Sequence, residues 1–200
     1  MGHVDSAIFV TSDDGTRLRL VRTGAGKPVV LIHGTMGGRG DWFEVARRLS
    51  DDFEVTTFDR RGRGDSEDGP EYSIEREIED VLAVIDASAP LVHLVGNSFG
   101  AILALLAAAR AGDRIDRLVV YEPPIGDPPA LLAEEEQLTD ELDMMVEAGD
   151  LDSAVQRFAA AANVTDARGS YPSNTAFSLR YPCRLSPCWA PNRTTRPTTA

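Results

Sequence analysis

Lysine is almost missing from this 200-residue chain: Lys27 stands alone beside nineteen arginines and thirty-two acidic residues. The resulting formal net charge of -12 excludes nucleic acid and anionic membrane as partners, because both need a basic face. Long apolar runs are missing as well. None reaches the roughly 18 residues of a membrane span, and the opening "MGHVDSAIFV" has no basic segment leading into an apolar one. A cytoplasmic chain with no membrane partner is therefore expected. Cysteine is confined to Cys183 and Cys188 in the last eighteen residues, and one C-x4-C pair defines neither a disulfide framework nor a metal site. No metal or cofactor is expected. What is present, 42% apolar residues over one domain's length, is enough for a hydrophobic core.

Strand and helix patterns alternate up to Pro124. "SAIFV" and "RLRLVR" flank the Asp-Gly turn of "TSDDGT" and predict two strands. "PVVLIHG" is a continuous apolar run closed by glycine, as in a strand buried on both faces of a parallel sheet. "DWFEVARRLS" has helical spacing at Trp42, Val45, Ala46 and Leu49, and "FEVTTFD" reads as a strand. "SIEREIEDVLAVIDAS" sets Ile74, Ile78, Val81, Leu82 and Ile85 on one stripe behind a capping Ser73. The strand "LVHLVGN", the buried helix "SFGAILALLAAARAG" closed by Gly112, and the strand "IDRLVVYEPP" follow. Such alternation means a mostly parallel sheet covered by helices on both faces, here over residues 1–125. Residues 126–165 read as two helices without a strand between them, suited to a short helical lid. The last thirty-one residues hold no Asp or Glu, five of the twelve prolines and both cysteines, so 166–200 is expected to be disordered.

Chemistry enters at "VHLVGNSFGA", residues 92–101, where a strand meets Gly96-Asn97-Ser98-Phe99-Gly100 and turns into a helix. Glycines on either side of Ser98 permit a sharp, strained turn that pushes the hydroxyl out above the helix N-terminus. A serine hydroxyl is a weak nucleophile until a base takes its proton. The three histidines, His3, His33 and His93, all precede Ser98.

Four motifs in order, "VVLIHG", "FDRRGRGDS", "GNSFGA" and "VVYEPP", together resemble the α/β-hydrolase superfamily over roughly residues 5–165. The resemblance implies the α/β-hydrolase fold with Ser98 as nucleophile. It implies an oxyanion hole made of the backbone N–H groups of Phe99 and, after His33-Gly34, of Thr35, with Met36 as second choice. Glu122 occupies the position where some members keep the acid that orients the histidine; more often that acid comes one strand later. The turn Asp59 to Asp65 is read as holding a tight loop by charge-assisted hydrogen bonds rather than as catalytic. Met144, Met145 and Phe158 either line an acyl pocket or form the apolar face of a lid helix.

In this superfamily the base follows the nucleophile and the acid in the chain, and no histidine follows Ser98 here. The change of composition near residues 165–175, in arginine-rich and lysine-poor usage typical of a GC-rich gene, reads as a frameshift or equivalent truncation that removes the last strands. The implied function is a serine hydrolase, esterase- or lipase-like, acting on a small-molecule substrate and impaired for lack of its base. The alternative is a non-catalytic small-molecule binding module on the same fold. Without later strands, "RLVVYE" would become a sheet edge open to self-association.

Overall fold

The computed structural model describes residues 8–125 and 129–161; His3, both cysteines and the atypical segment from 166 onward lie outside the described residues. Residues up to Ile125 form one compact unit, and the helical segment after residue 126 belongs to a second. In the first unit β1 (Ile8–Thr11) and β2 (Arg17–Thr23) pair antiparallel across the turn predicted at Asp-Gly, where Gly15 takes φ +89°. β3 (Lys27–Ile32), β4 (Phe53–Phe58), β5 (Val92–Asn97) and β6 (Ile115–Tyr121) complete a six-stranded sheet in the order β1-β2-β4-β3-β5-β6. β2 joins β4 antiparallel, and the β4-β3-β5-β6 ladder is parallel throughout.

The helices α1 (Phe43–Leu49), α2 (Ile74–Ser88) and α3 (Phe99–Ala111) supply the crossovers that parallel pairing requires. The helix expected over residues 41–50 is shorter than its spacing implied: a 3₁₀ turn runs through Arg39–Trp42 before α1 begins. In that turn the Asp41 N–H donates to the Gly38 carbonyl at 3.1 Å, and the Arg39 N–H, without an acceptor inside the turn, donates to Asp59 Oδ1 at 2.9 Å. Ser73 caps α2 as predicted, accepting from the Arg76 N–H at 3.2 Å, and Gly112 ends α3 at φ +56°. The core contains Val30, Leu31 and Ile32 of β3, Leu94 of β5, Ile78, Val81 and Ile85 of α2, and Leu103 of α3, all buried. Continuous apolar strands and one-sided helices thus land where their periods demand.

Among the described residues β6 has a single neighbour, β5, and its Val119 and Tyr121 are 53% and 59% exposed. This is the strand for which the sequence predicts association. In the second unit α4 (Pro129–Glu147) and α5 (Leu151–Ala161) are joined by a turn at Gly149, φ +78°, and tied by the Arg157–Glu141 ion pair at 2.7 Å. No helix among the described residues is long and apolar enough to cross a membrane.

Candidate active site

The strand-turn-helix at residues 92–111 builds the centre of the site. Ser98 sits between β5 and α3 with φ 53° and ψ -126°, a conformation in which a residue with a side chain is strained. Two hydrogen bonds hold it: its N–H donates to the Tyr121 carbonyl of β6 at 2.9 Å, and its carbonyl accepts from Ala101 at 2.8 Å. Gly96 and Gly100 make the turn sterically feasible. A Cβ on Gly96 would lie 2.2 Å from the Gly100 oxygen, and one on Gly100 would lie 2.4 Å from the Ile32 oxygen. Although Ser98 is the N-cap residue of α3, its side chain makes no capping bond, unlike Ser73 on α2. The hydroxyl is therefore left for other work. Phe99 is the first residue of α3, and first-turn N–H groups have no intrahelical acceptor, so its N–H stands at the positive end of the helix dipole.

The backbone strain at Ser98 is measurable. Ser98→Gly, which removes the side-chain strain at a cost in chain entropy, is expected to raise stability by about 1 kcal/mol, whereas Ser98→Ala keeps the strain and should not. Urea denaturation of the two variants checks this; equal stabilities would show that the elbow is relaxed.

The loop after β3 reaches the same place. A Cβ on Gly34 would lie 3.2 Å from Ser98 Cβ and 3.6 Å from Ser98 Oγ, so Gly34 packs directly on the serine side chain. The Gly34 carbonyl points the other way, into the core, where it accepts from His33 Nδ1 at 2.9 Å, Arg60 Nη1 at 2.9 Å and the Gly37 N–H at 3.4 Å. His33 is fully engaged: while Nδ1 donates to Gly34, Nε2 accepts from the Arg60 N–H at 3.1 Å. Burial, aided by the Arg60 charge, holds its pKa well below the ordinary histidine value. A neutral ring with both nitrogens committed is a structural strut and not a base.

The turn after β4 anchors that loop at both ends. Asp59 accepts from the N–H groups of Arg39 and Asp65 at 2.9 and 3.1 Å and pairs with the Arg39 guanidinium. Arg60 and Arg61, both buried, reach α2 and pair there with Glu77 and Asp80. Burial works against the Glu77 charge, but the Arg60 charge and hydrogen bonds outweigh it and keep its pKa below the usual carboxylate value. Burial wins at Asp80, which is pushed up to about 6 despite Arg61. The charge-assisted scaffold expected of Asp59 to Asp65 is present in these bonds.

Of the residues singled out from sequence, Ser98 and Phe99 are adjacent at the elbow, and Gly34, which directly precedes Thr35, packs on Ser98. Glu122 directly follows the Tyr121 whose carbonyl holds the elbow; it is exposed and has φ 48°. His93 lies five residues before Ser98, about 16 Å along the strand. There its ring packs edge-on against Phe53, and its Nδ1 is 3.5 Å from Asp116 Oδ2. Among the described residues no three His, Cys, Asp or Glu side chains converge to hold a metal ion. Sequence reasoning missed Glu77 and Asp80. The signal was available: two carboxylates at i, i+3 inside an apolar helical stripe must meet cations.

Comparison with known proteins places this geometry. A profile of the alpha/beta hydrolase family matches residues 29–199. The solved structure of an alpha/beta hydrolase from Sphaerobacter thermophilus DSM 20745 is 37% identical, covers 88% of this chain and 71% of its own, and superposes with a TM-score of 0.72. N-formylmaleamate deformylase of Pseudomonas putida is 35% identical over 121 residues, 58% of this chain and 45% of the deformylase; the chain thus spans about half the length of the curated relatives it matches. The bottromycin epimerase BotH, solved in complex with bottromycin A2, is 28% identical over 87% of this chain and 71% of its own, with a TM-score of 0.65.

Proposed function

Because the chain belongs to the alpha/beta hydrolase family, we propose that Ser98 is the nucleophile of a serine hydrolase acting on small acyl substrates, esters or amides. The observation that carries this reading is the strained Ser98, φ 53°, with a hydroxyl excluded from helix capping. Such strain costs about 1–3 kcal/mol and persists where the projection of a side chain is worth more than stability. Relatives named as a deformylase and as a 2-hydroxy-6-oxo-2,4-heptadienoate hydrolase support the reaction class.

In the proposed reaction Ser98 Oγ adds to the acyl carbon, and the carbonyl oxygen becomes an oxyanion received by the N–H groups of Thr35 and Phe99. The leaving group departs with the electron pair of its bond to the acyl carbon. Water then cleaves the acyl-serine and restores the hydroxyl. The proton of Ser98 is the weak point. His33 is sealed between two backbone groups and His93 lies along β5 away from the elbow, so no histidine among the described residues takes the proton; it passes to solvent and catalysis is impaired. Enzymes deprived of their triad keep about 10³- to 10⁴-fold over water through oxyanion hole and binding, and a residual rate of that order is expected.

Hydrolysis of p-nitrophenyl acetate tests this. A slow turnover above the buffer rate that disappears in Ser98→Ala is the expected result; turnover unchanged in Ser98→Ala would remove Ser98 from the chemistry. The second reading, a small-molecule binding module, is favoured by the lack, among the described residues, of a histidine beside Ser98 and by the epimerase neighbour, whose name is not that of a hydrolase. It predicts no turnover and ligand binding indifferent to Ser98→Ala.

A further inference from the structure

We infer that Arg60 is a positioning residue for the oxyanion hole: its buried guanidinium orients and polarises the Gly34-Thr35 peptide so that the Thr35 N–H faces the reacting oxygen. This rests on the reading of Ser98 given above. Arg60 reaches the Gly34 carbonyl twice, directly through Nη1 at 2.9 Å and indirectly through its own N–H, which holds the His33 ring whose Nδ1 donates to the same oxygen. With the Gly37 N–H as well, three donors converge on one carbonyl. A trans peptide is planar, with its C=O and N–H directed oppositely. Fixing the Gly34 oxygen in the core therefore fixes the Thr35 N–H on the opposite side of the same peptide, and Gly34, the residue where that peptide begins, packs on the Ser98 side chain. A cation at the oxygen end also strengthens the N–H as a donor, since hydrogen bonds in series polarise one another in a low-dielectric interior.

The ion pair with Glu77 does not by itself explain this arrangement. Glu77 occupies Nε, at 2.9 Å, and Nη2, leaving Nη1 for the peptide oxygen. Arg60 and Glu77 are 1% and 0% exposed, and a buried pair of that kind is often no more stabilising than two apolar side chains of similar volume. What an apolar pair could not supply is a fixed cation behind the oxyanion loop. The same guanidinium lies 4.8 Å from the centroid of the Phe99 ring, so one side chain touches Phe99, which carries one proposed donor, and the Gly34 carbonyl of the peptide that carries the other. Its effect is exerted through the Thr35 N–H and so falls on the tetrahedral state, in which the oxyanion exists.

Phenylboronic acid is the probe, because Ser98 Oγ bonds to boron while the serine proton passes to solvent and a boron hydroxyl takes the oxyanion position; no base or leaving group is needed. Arg60→Lys keeps a cation opposite Glu77 but cannot hold Glu77 and Gly34 in one fork. The expected result is boronate affinity about tenfold lower than in the parent, the scale of one lost charge-assisted contact. Affinity for benzamide, which forms no adduct, should be unchanged, and the Thr35 amide proton should shift while those of Val29 to Ile32 stay. Loss of boronate binding in Ser98→Ala confirms the underlying reading. Equal binding by Ser98→Ala overturns that reading and this inference with it, whereas serine-dependent binding that is unaffected by Arg60→Lys overturns the inference alone. If the parent binds no boronate, the Thr35 amide decides: a shift in Arg60→Lys supports the inference and an unmoved resonance overturns it. Should Arg60→Lys fail to fold, the volume-keeping pair Arg60→Met with Glu77→Leu carries the same readings.

Discussion

Arg61→Met is expected to remove about 3–5 kcal/mol of stability, the cost of leaving buried charge without its partner, and to lower the melting temperature by about 6–20 °C for a chain of this size. Arg61 uses every donor it has. Nε and Nη2 donate to the two Asp80 oxygens at 2.7 Å each, Nη1 to Asp14 Oδ2 and the Glu71 carbonyl at 2.9 Å each, and Nη2 also to the Arg76 carbonyl at 3.3 Å. Burial opposes its charge, but these carboxylates outweigh burial and hold its pKa above the ordinary arginine value. Methionine fills the space but takes the cation away from the Asp80 and Asp14 carboxylates and a donor away from the Glu71 and Arg76 carbonyls.

The pH dependence of that loss follows from Asp80. In the parent, Asp80 is pushed up to about 6, above its unfolded value of about 3.9, so the folded state binds its proton more readily than the unfolded one. Without Arg61 the folded pKa rises further. A carboxyl raised in the fold gains stability as pH falls towards its unfolded value and loses it as pH rises. The variant should accordingly be closer to the parent at pH 5 than at pH 8. Urea titrations at the two values decide; a loss under about 1 kcal/mol at pH 8 would mean that the buried fork carries little.

Gly100→Ala is the second large effect. Its Cβ would meet two backbone oxygens, those of Ile32 at 2.4 Å and His33 at 2.5 Å, where the end of β3 passes under the start of α3. Carbonyls of a central strand cannot swing aside as a side chain can. The loss is placed at the upper end of overpacking costs, about 3 kcal/mol. Gly112→Ala serves as the contrast: nothing lies within 4 Å of its Cβ, and only φ +56° opposes it, for about 1–2 kcal/mol. Comparable losses in both would show that backbone strain, not helix-strand contact, limits the elbow.

These two sites divide what was legible in the sequence from what was not. Gly96, Ser98 and Gly100 announce the elbow because the constraint is local: five consecutive residues must turn a strand into a helix, and only glycine clears the neighbouring backbone. The strands and α2 were legible for the same reason, since periods of two and 3.6 are written in adjacent residues. The partners of Arg60 and Arg61 are seventeen and nineteen residues further on, at Glu77 and Asp80. Sequence spacing marks those acids as facing the core, but only the crossover of α2 says which cations they meet. Likewise β2 pairs with β4 and not with β3, a choice made by tertiary packing. Helix α1 starts after a 3₁₀ turn whose Arg39 is held by Asp59, a contact from another element that the spacing of residues 41–50 does not show.

The proposal that Ser98 is a nucleophile for acyl transfer, with no histidine among the described residues to serve as its base, has one decisive check. Incubation with a fluorophosphonate at neutral pH, followed by peptide mass analysis, tests it most directly. Slow, incomplete modification confined to the peptide bearing Ser98, faster as the pH is raised and absent from Ser98→Ala, is the expected result. Rapid, stoichiometric modification at neutral pH, or an adduct on any other residue, would contradict it.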